Sequence, residues 1–562
     1  MDSVVDRSAT EIDGVRLSLE DDLSGSRFLV NKNVTEKYIM DGPYSKYVLI
    51  VLMLVYVLNF IDRQILTILA EDIKTDLDLS DGDLGFLAGT AFAVFYAIFG
   101  IPMGRLADRW QRTKMISLGL GFWSLMTALS GTAKGFGSLA IFRFGVGVGE
   151  ASATPAAYSI LYDYFSPKIR TTVLAVYNCG LYIGMGLGLF LGGTILDGWN
   201  SAWPDPRLAP LGLKGWQAAF MAVGLPGLLL AIWVSTLKEP LRGQSDGLSS
   251  SIDLEPVNPL RYFLIELLPM IPLVNLWVLR RAGADLKVLL ANIIGGCAVV
   301  ALVACLTSLT GDALQWGALG IGCYCAFSWV QSLNCHDPVC FSLLFRCRTL
   351  VCLYLGAGLV VFTSTAWGFW SIPYLQRNYG VSVTELGIVI GMSIAAAGLL
   401  GVLIGGFLAD RLRRHTQRGK LYIAFLGNAA SLLALLFILS TDDIVLAYIL
   451  NFIYFLVGPM AHAPLVSTIT DLAIPRTRAV AVSLYVMITI ILGSTLGPYC
   501  VGLMSDVVGA RGADAGDALR HGLMAGLAPQ LLGVVFLFLA IKYIVFDEES
   551  RLDRARALGE VI

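Results

Sequence analysis

The chain has 562 residues, 56% of them hydrophobic and 15% charged, with a mean hydropathy of +0.71, far from the composition of water-soluble domains. A formal net charge of -2 averages basic segments with acidic ones such as 71–83, and no basic patch calls for a nucleic-acid partner. The composition points to an integral membrane protein.

Residues 1–45 are polar and acid-rich (Asp2, Asp6, Glu11, Asp13, Glu20, Asp21, Asp22). They lack the apolar core and small-residue cleavage site of a signal peptide, so a mobile cytoplasmic tail is expected. Apolar stretches able to cross a hydrocarbon layer of about 30 Å follow at 47–69, 84–106, 114–133, 137–162, 168–196 and 216–236, predicted spans one to six. Spans seven to twelve are predicted at 349–375, 384–408, 420–440, 444–472, 478–507 and 523–546. Two further stretches between the halves, 287–309 and 313–331, are also long enough, which brings the expected total to about 14. The run from Pro259 to Leu279 contains Arg261, Glu266 and three prolines, and reads as an interfacial or re-entrant helix. The expected organisation is a tail (1–45), a six-helix bundle (46–237), a linker with the interfacial helix and two extra transmembrane helices (238–348), a second bundle (349–546) and a tail (547–562).

Most of the 40 Lys and Arg residues fall in the tails and alternate loops. Basic loops are retained in the cytoplasm, so both termini are expected there. With no sorting signal recognised, a bacterial inner membrane is the expected location, a eukaryotic organelle the alternative.

The chain repeats itself. Gly104, Asp108, Arg109, Arg112 and Lys114 recur in weaker form as Gly406, Asp410, Arg411, Arg413 and Arg414, while Asp163, Pro167, Arg170 and Tyr177 recur 308 residues later as Asp471, Pro475, Arg478 and Tyr485. Matching marks in two six-span halves fit a parallel repeat around a central cavity. Span four adds Arg143, Gly147, Gly149, Glu150 and Ala151, and span one adds Asn59, Asp62 and Arg63. On these residues the chain resembles the major facilitator superfamily, and within it the Spinster branch, which is associated with sphingolipids and lysophospholipids. The resemblance implies an all-α membrane fold of two six-helix bundles and secondary active transport by alternating access. It covers most of the chain outside the first tail and the region 243–345. There are departures: Gln111 stands where the loop usually has Gly, span five lacks the usual proline, and the two inserted spans lie outside a twelve-helix plan.

Within a bilayer a charged side chain costs about 2.5–3.5 kcal/mol on insertion scales, so those of spans one and four need partners. Asp62 lies about 22 Å along span one at about 1.5 Å per residue, a depth that Arg143 shares, and a network of Asp62, Arg143 and Arg63 is expected. An ion pair that merely locks spans one and four is the alternative. Glu150 follows Arg143 by two helical turns, about 10.5 Å, on the same face. Glu150 or Asp62 is the candidate proton-coupling acid and Arg143 the candidate partner of an anionic headgroup, against a Glu150 that caps a kink near Pro155. His462, between Pro459 and Pro464, reads first as a structural histidine bonded to a freed carbonyl and second as a substrate or proton group.

The charged hairpins read as a cytoplasmic gate, with Asp108, Arg109 and Arg112 reaching Asp163, and Asp410, Arg411 and Arg413 reaching Asp471. Exposed pairs are worth only about 0–1 kcal/mol each, so such a gate opens easily, and the same basic loops also fix topology. Gly180, Gly184, Gly188 and Gly192 form a ladder suited to close helix packing. Six of the ten cysteines cluster from Cys323 to Cys352 around His336, in no standard zinc spacing. Neither metal nor cofactor is expected, and the energy source would be a proton gradient. Tyr56, Phe60, Tyr158, Phe362, Trp367, Trp370 and Tyr454 suit a greasy substrate.

The expected function is proton-coupled transport of an amphipathic lipid, with protons and membrane lipids as the other partners. A multidrug or small organic anion transporter is the alternative. From another class come a non-transporting receptor or scaffold and a passive lipid scramblase. No nucleophile with a base at workable spacing is present, so an enzyme is not expected.

Overall fold

The computed structural model describes residues 41–166, 169–240, 258–281, 283–473 and 477–557, so nearly all of the predicted first tail, and Pro167 and Pro475 of the repeat, lie outside the described residues. Among the described residues all regular structure is helical. Every predicted span coincides with helix, yet among the described residues eleven helices are long and apolar enough to cross a membrane, or twelve if one bent pair counts as a span, against the predicted total of about 14. The shortfall has a chemical cause. Span three (Arg112–Ser130) begins with Arg112 and Lys114. Span four, with Arg143 and Glu150, is broken into Phe136–Glu150 and Ala153–Tyr164. The second inserted helix, Ala313–His336, carries Gln315, Ser328, Gln331, Ser332 and Asn334.

The bent pair lies where an interfacial or re-entrant piece is predicted: Pro259–Met270 and Val274–Arg281 meet at 96°. The turn falls at Pro272 and at Leu273, whose φ is 69°. Beyond it, Leu286–Thr310 and Ala313–His336 form an antiparallel hairpin. At the other end, Arg551–Ala557 continues as a helix where a tail is predicted, tied to the second bundle by Arg551, which donates to the Asp471 carbonyl, and by an Arg554–Asp547 pair at 3.3 Å.

Burial of apolar side chains is what brings these helices together in the ends that protrude from lipid and at their mutual faces, and here it divides unevenly. At the end opposite the basic loops, both bundles share one core, in which Leu69, Leu87 and Leu189 of the first bundle join Trp370, Leu386 and Leu519 of the second. At the basic end there are two cores. One belongs to the first bundle (Val48, Ile116, Ile160, Val234) and the other to the second (Leu353, Leu421, Ile469, Leu537). The two bundles therefore converge at the acidic end.

Glycine permits that convergence. The predicted ladder packs span five onto span one within its bundle, a Cβ on Gly184 falling 2.8 Å from the Phe60 Cβ. The residues that join the bundles lie beside the ladder: a Cβ at Gly186 would fall 2.5 Å from the Gly391 carbonyl, and one at Gly387 2.7 Å from that of Leu189. On the opposite seam, a Cβ at Gly85 of span two would sit 2.5 Å from the Pro498 carbonyl of span eleven. Gly85→Val is thus expected to wedge this seam open, seen as at least tenfold faster amide exchange at residues 84–90. Span eleven is irregular near this contact, with a π turn at Thr489–Ser494 between Arg478–Ile488 and Leu496–Gly509.

Candidate functional site

Below the shared core, a cavity of about 330 Å³ lies between the bundles. Its lining is mostly apolar, and it includes Phe60, Arg63 and Arg143 from the first bundle and Tyr454, His462 and Pro498 from the second. Of the aromatic residues predicted to face it, Phe60 and Tyr454 do. Trp367 and Trp370 belong to the shared core instead, where Trp370 donates to the Pro498 carbonyl at 2.8 Å.

The charges predicted as one network are brought together, with a different pairing from that expected. Arg63 Nε donates to Glu150 Oε2 at 2.7 Å, with Glu150 fully buried and the Arg63 side chain 26% exposed toward the cavity. Three rings surround the guanidinium, with its carbon 4.4 Å from the Phe92 centroid, 4.9 Å from Phe60 and 5.1 Å from Tyr96, positions in which ring quadrupoles attract a cation. Arg143 instead donates Nη1 to the backbone carbonyl of Asp62 at 3.3 Å. The Asp62 carboxyl is fully buried and neither oxygen has a hydrogen-bond partner. Trp123 and Thr127 of span three lie against it, and their Nε1 and Oγ1 are likewise buried and unbonded. The exchange follows from which acid each cation meets: Glu150 takes Arg63 as its hydrogen-bonded partner, and Arg143 reaches the backbone of Asp62 instead of its carboxylate.

His462 opens the Pro464-containing half of span ten, after the 3-10 turn Pro459–Ala461, and it faces the cavity. An imidazole at the wall can meet a ligand there.

At the basic end, the predicted Arg112–Asp163 contact is present at 2.5 Å. Arg112 is buried and also holds Ser159 at 2.7 Å, Glu239 at 2.6 Å and the Pro240 carbonyl at 3.1 Å. In the second half Asp471 is met by Lys420 at 2.6 Å, with Ser467 at 2.7 Å. Arg413 pairs with Glu548, while Asp410 and Arg411 are exposed. The side chains of Asp108 and Arg109 lie outside the described residues. Lys420, Ser467 and Asp471 stand 308 residues after Arg112, Ser159 and Asp163. Applying the repeat's own offset therefore finds the second hub, which hairpin resemblance missed. Both hubs brace helices within one bundle.

The hydrogen bonds and ion pairs between described side chains of the two bundles lie at the acidic end, where sequence reasoning placed nothing. Arg377 of span seven bonds Glu71 at 2.7 and 3.0 Å and Asp81 twice at 2.7 Å. Lys74 and Ser505 add bonds to Asp81 at 2.6 and 2.7 Å. Asp506 of span eleven receives the amides of Asp81 at 2.9 Å and Gly82 at 2.6 Å, so one bundle supplies the carboxylate at a helix start of the other. Thr384 bonds Asp197 at 2.6 Å on the far seam. Lone cations in the loops of this end, Lys74 within the acidic segment 71–83 and Arg377 between predicted spans seven and eight, were the available signal.

Comparison with known proteins agrees with this architecture. An efflux pump of the superfamily from Mycolicibacterium smegmatis is 26% identical over 89% of this chain and 93% of its own length. The sphingosine-1-phosphate transporter SPNS2 of Danio rerio is 26% identical over 80% of this chain and 74% of its own. The crystal structure of a bacterial homologue of the human lysosomal transporter Spinster, inward-facing and occupied, superposes with a TM-score of 0.65 at 26% identity, covering 90% of this chain and 99% of that one. A D-xylose-proton symporter, at a TM-score of 0.56 and 13% identity, shares the fold. Residues 52–498 match the Major Facilitator Superfamily. The chain is a member of that superfamily, with its likeness in the Spinster branch.

Proposed function

We propose that the protein is a proton-coupled secondary transporter that moves an amphipathic, anionic lipid of the sphingolipid or lysophospholipid type by alternating access. One observation carries this reading: a mostly apolar cavity between two bundles contains Arg63, Arg143 and His462 at its wall, with the Glu150 carboxylate directly behind Arg63 and the Asp62 backbone carbonyl behind Arg143. An acyl chain suits the apolar lining. A headgroup phosphate or carboxylate suits two guanidinium groups.

The proton enters through competition. An anion that engages Arg63 weakens its hold on Glu150, and a buried carboxylate deprived of its cation is costly, so proton uptake follows. Leaving the cavity, the anion returns Arg63 to Glu150 and the proton departs. In this reading the shared core and the Arg377 contacts with Glu71 and Asp81 close the outer end, and separation there with closure at the basic end would complete the cycle. In this reading both termini are cytoplasmic, the membrane is a bacterial inner membrane, and about 14 spans include the linker hairpin.

The test is uptake into proteoliposomes under an imposed pH gradient. A fluorescent lysophospholipid should accumulate at least tenfold over its equilibrium level and stop with an uncoupler, while a hydrophilic sugar should not accumulate. Equilibration without accumulation would point to a scramblase and overturn the proposal. The similarity to an efflux pump supports a second reading, a multidrug or small organic anion carrier, in which chemically unrelated hydrophobic or anionic compounds would compete with the lipid.

A further inference from the structure

The segment between the bundles has a defined seat. Its Ala313–His336 helix is fastened to the second bundle at both ends. At the acidic end the buried Tyr499 of span eleven donates its hydroxyl to Asp312 and meets Trp316 edge-on, centroids 5.5 Å apart at 88°. At the basic end Trp329, Val330 and Leu333 pack on the second bundle's own core. Internally the segment is stiffened by a buried amide network. Asn275 Nδ2 donates to Ser328 at 2.6 Å and to Asn292 at 3.1 Å, and the Tyr324 hydroxyl donates to Asn292 at 2.6 Å. Such fully bonded polar groups in an apolar setting hold one arrangement.

Toward the first bundle the contacts are more extensive but of another kind. Phe263 stacks on Phe99 of span two at 5.7 Å, and Gly322 faces Val94, where an added Cβ would come within 3.2 Å of Cγ1. Carbon contacts without direction, one through a glycine, permit sliding. Directional bonds at Tyr499 do not.

We propose that this insertion is a panel of the second bundle that covers the seam between spans two and eleven, keeps bilayer lipid out of it, and slides across span two as the bundles rock. This rests on the alternating-access reading. The geometry supplies its test, because the Cβ built at Gly322 lies 3.9 Å from Val94 Cβ, inside the range of about 3.5–4.5 Å that a disulfide needs.

In the full chain in nanodiscs, Gly322→Cys with Val94→Cys is expected to cross-link on oxidation, with the bond mapped by mass spectrometry. Amide exchange at 84–90 and 494–502 should then slow at least tenfold and recover on reduction, while either single variant shows no redox effect. Exchange equally fast when linked and reduced overturns the panel and leaves alternating access standing. No measurable exchange at these amides even when reduced overturns alternating access, and the panel with it. Failure to link overturns the seat itself. Tyr499→Phe gives an independent check: amides of 313–320 should exchange at least threefold faster while those of span two keep their rate, and unchanged exchange at 313–320 overturns the fastening.

Discussion

Glu150→Gln protein is expected to lose gradient-driven accumulation by 100-fold or more, while exchange of external for internal substrate persists within a factor of a few. Glutamine keeps the volume and an oxygen for Arg63, whose bond to Glu150 is 2.7 Å long, so the cavity wall stays in place. It cannot take up or release a proton. Removing one charge of a buried pair costs about 3–5 kcal/mol, but Arg63 reaches the cavity and is surrounded by three rings, which reduces the loss and leaves the protein folded. Accumulation at an unchanged level would remove Glu150 from coupling. Asp62→Asn separates the two acids: with Glu150 carrying the proton, removal of the Asp62 carboxyl leaves the pH dependence of transport intact, and loss of that dependence in this variant would assign coupling to Asp62.

Arg377→Ala is expected to release the acidic end. The side chain is 7% exposed and holds two acids of the other bundle, Glu71 and Asp81, which are 21% and 4% exposed. Without it Asp81 retains Lys74 and Ser505, whereas Glu71 loses its cation. A loss of about 3 kcal/mol, the low end for breaking a buried pair, would shift the ratio of outer-closed to outer-open protein more than 100-fold, at about 1.4 kcal/mol per tenfold. Transport should fall at least tenfold, because a cycle that rests in one state turns over slowly. An impermeant reagent applied from outside should reach Cys500, which is part-buried beside the seam. Unchanged labelling would show that the shared apolar core alone keeps this end shut. Arg377→Lys should restore part of the closure, since a single ammonium replaces a fork that bonds both acids.

The helices were legible in the sequence because hydrophobic length is a local property, and each predicted stretch is helical. The Arg112–Asp163 hub was legible too, since both residues carry the mark of a repeated element. The pairing of Arg63 with Glu150 was not. Two arginines, Arg63 and Arg143, lie within the same two spans as Glu150, and only the rotation and offset of span one against span four decide which of them the acid takes. The Arg377–Asp81 latch was hidden for a different reason, as its partners are 296 residues apart and follow no repeat. Gly186 and Gly391 were overlooked beside a more regular ladder, although the contact between bundles needs only one close approach on each helix.

The π turn at Thr489–Ser494 gives span eleven one residue of slack about one helical turn before Pro498, where the ring removes a backbone donor in any case. Were that slack drawn out, the stretch beyond it would screw round by about 100°, carrying Pro498 out of the cavity wall and pulling on Asp312 through Tyr499. A wall and its outer clasp are thus mounted on a single shaft, and one turn of that shaft moves both.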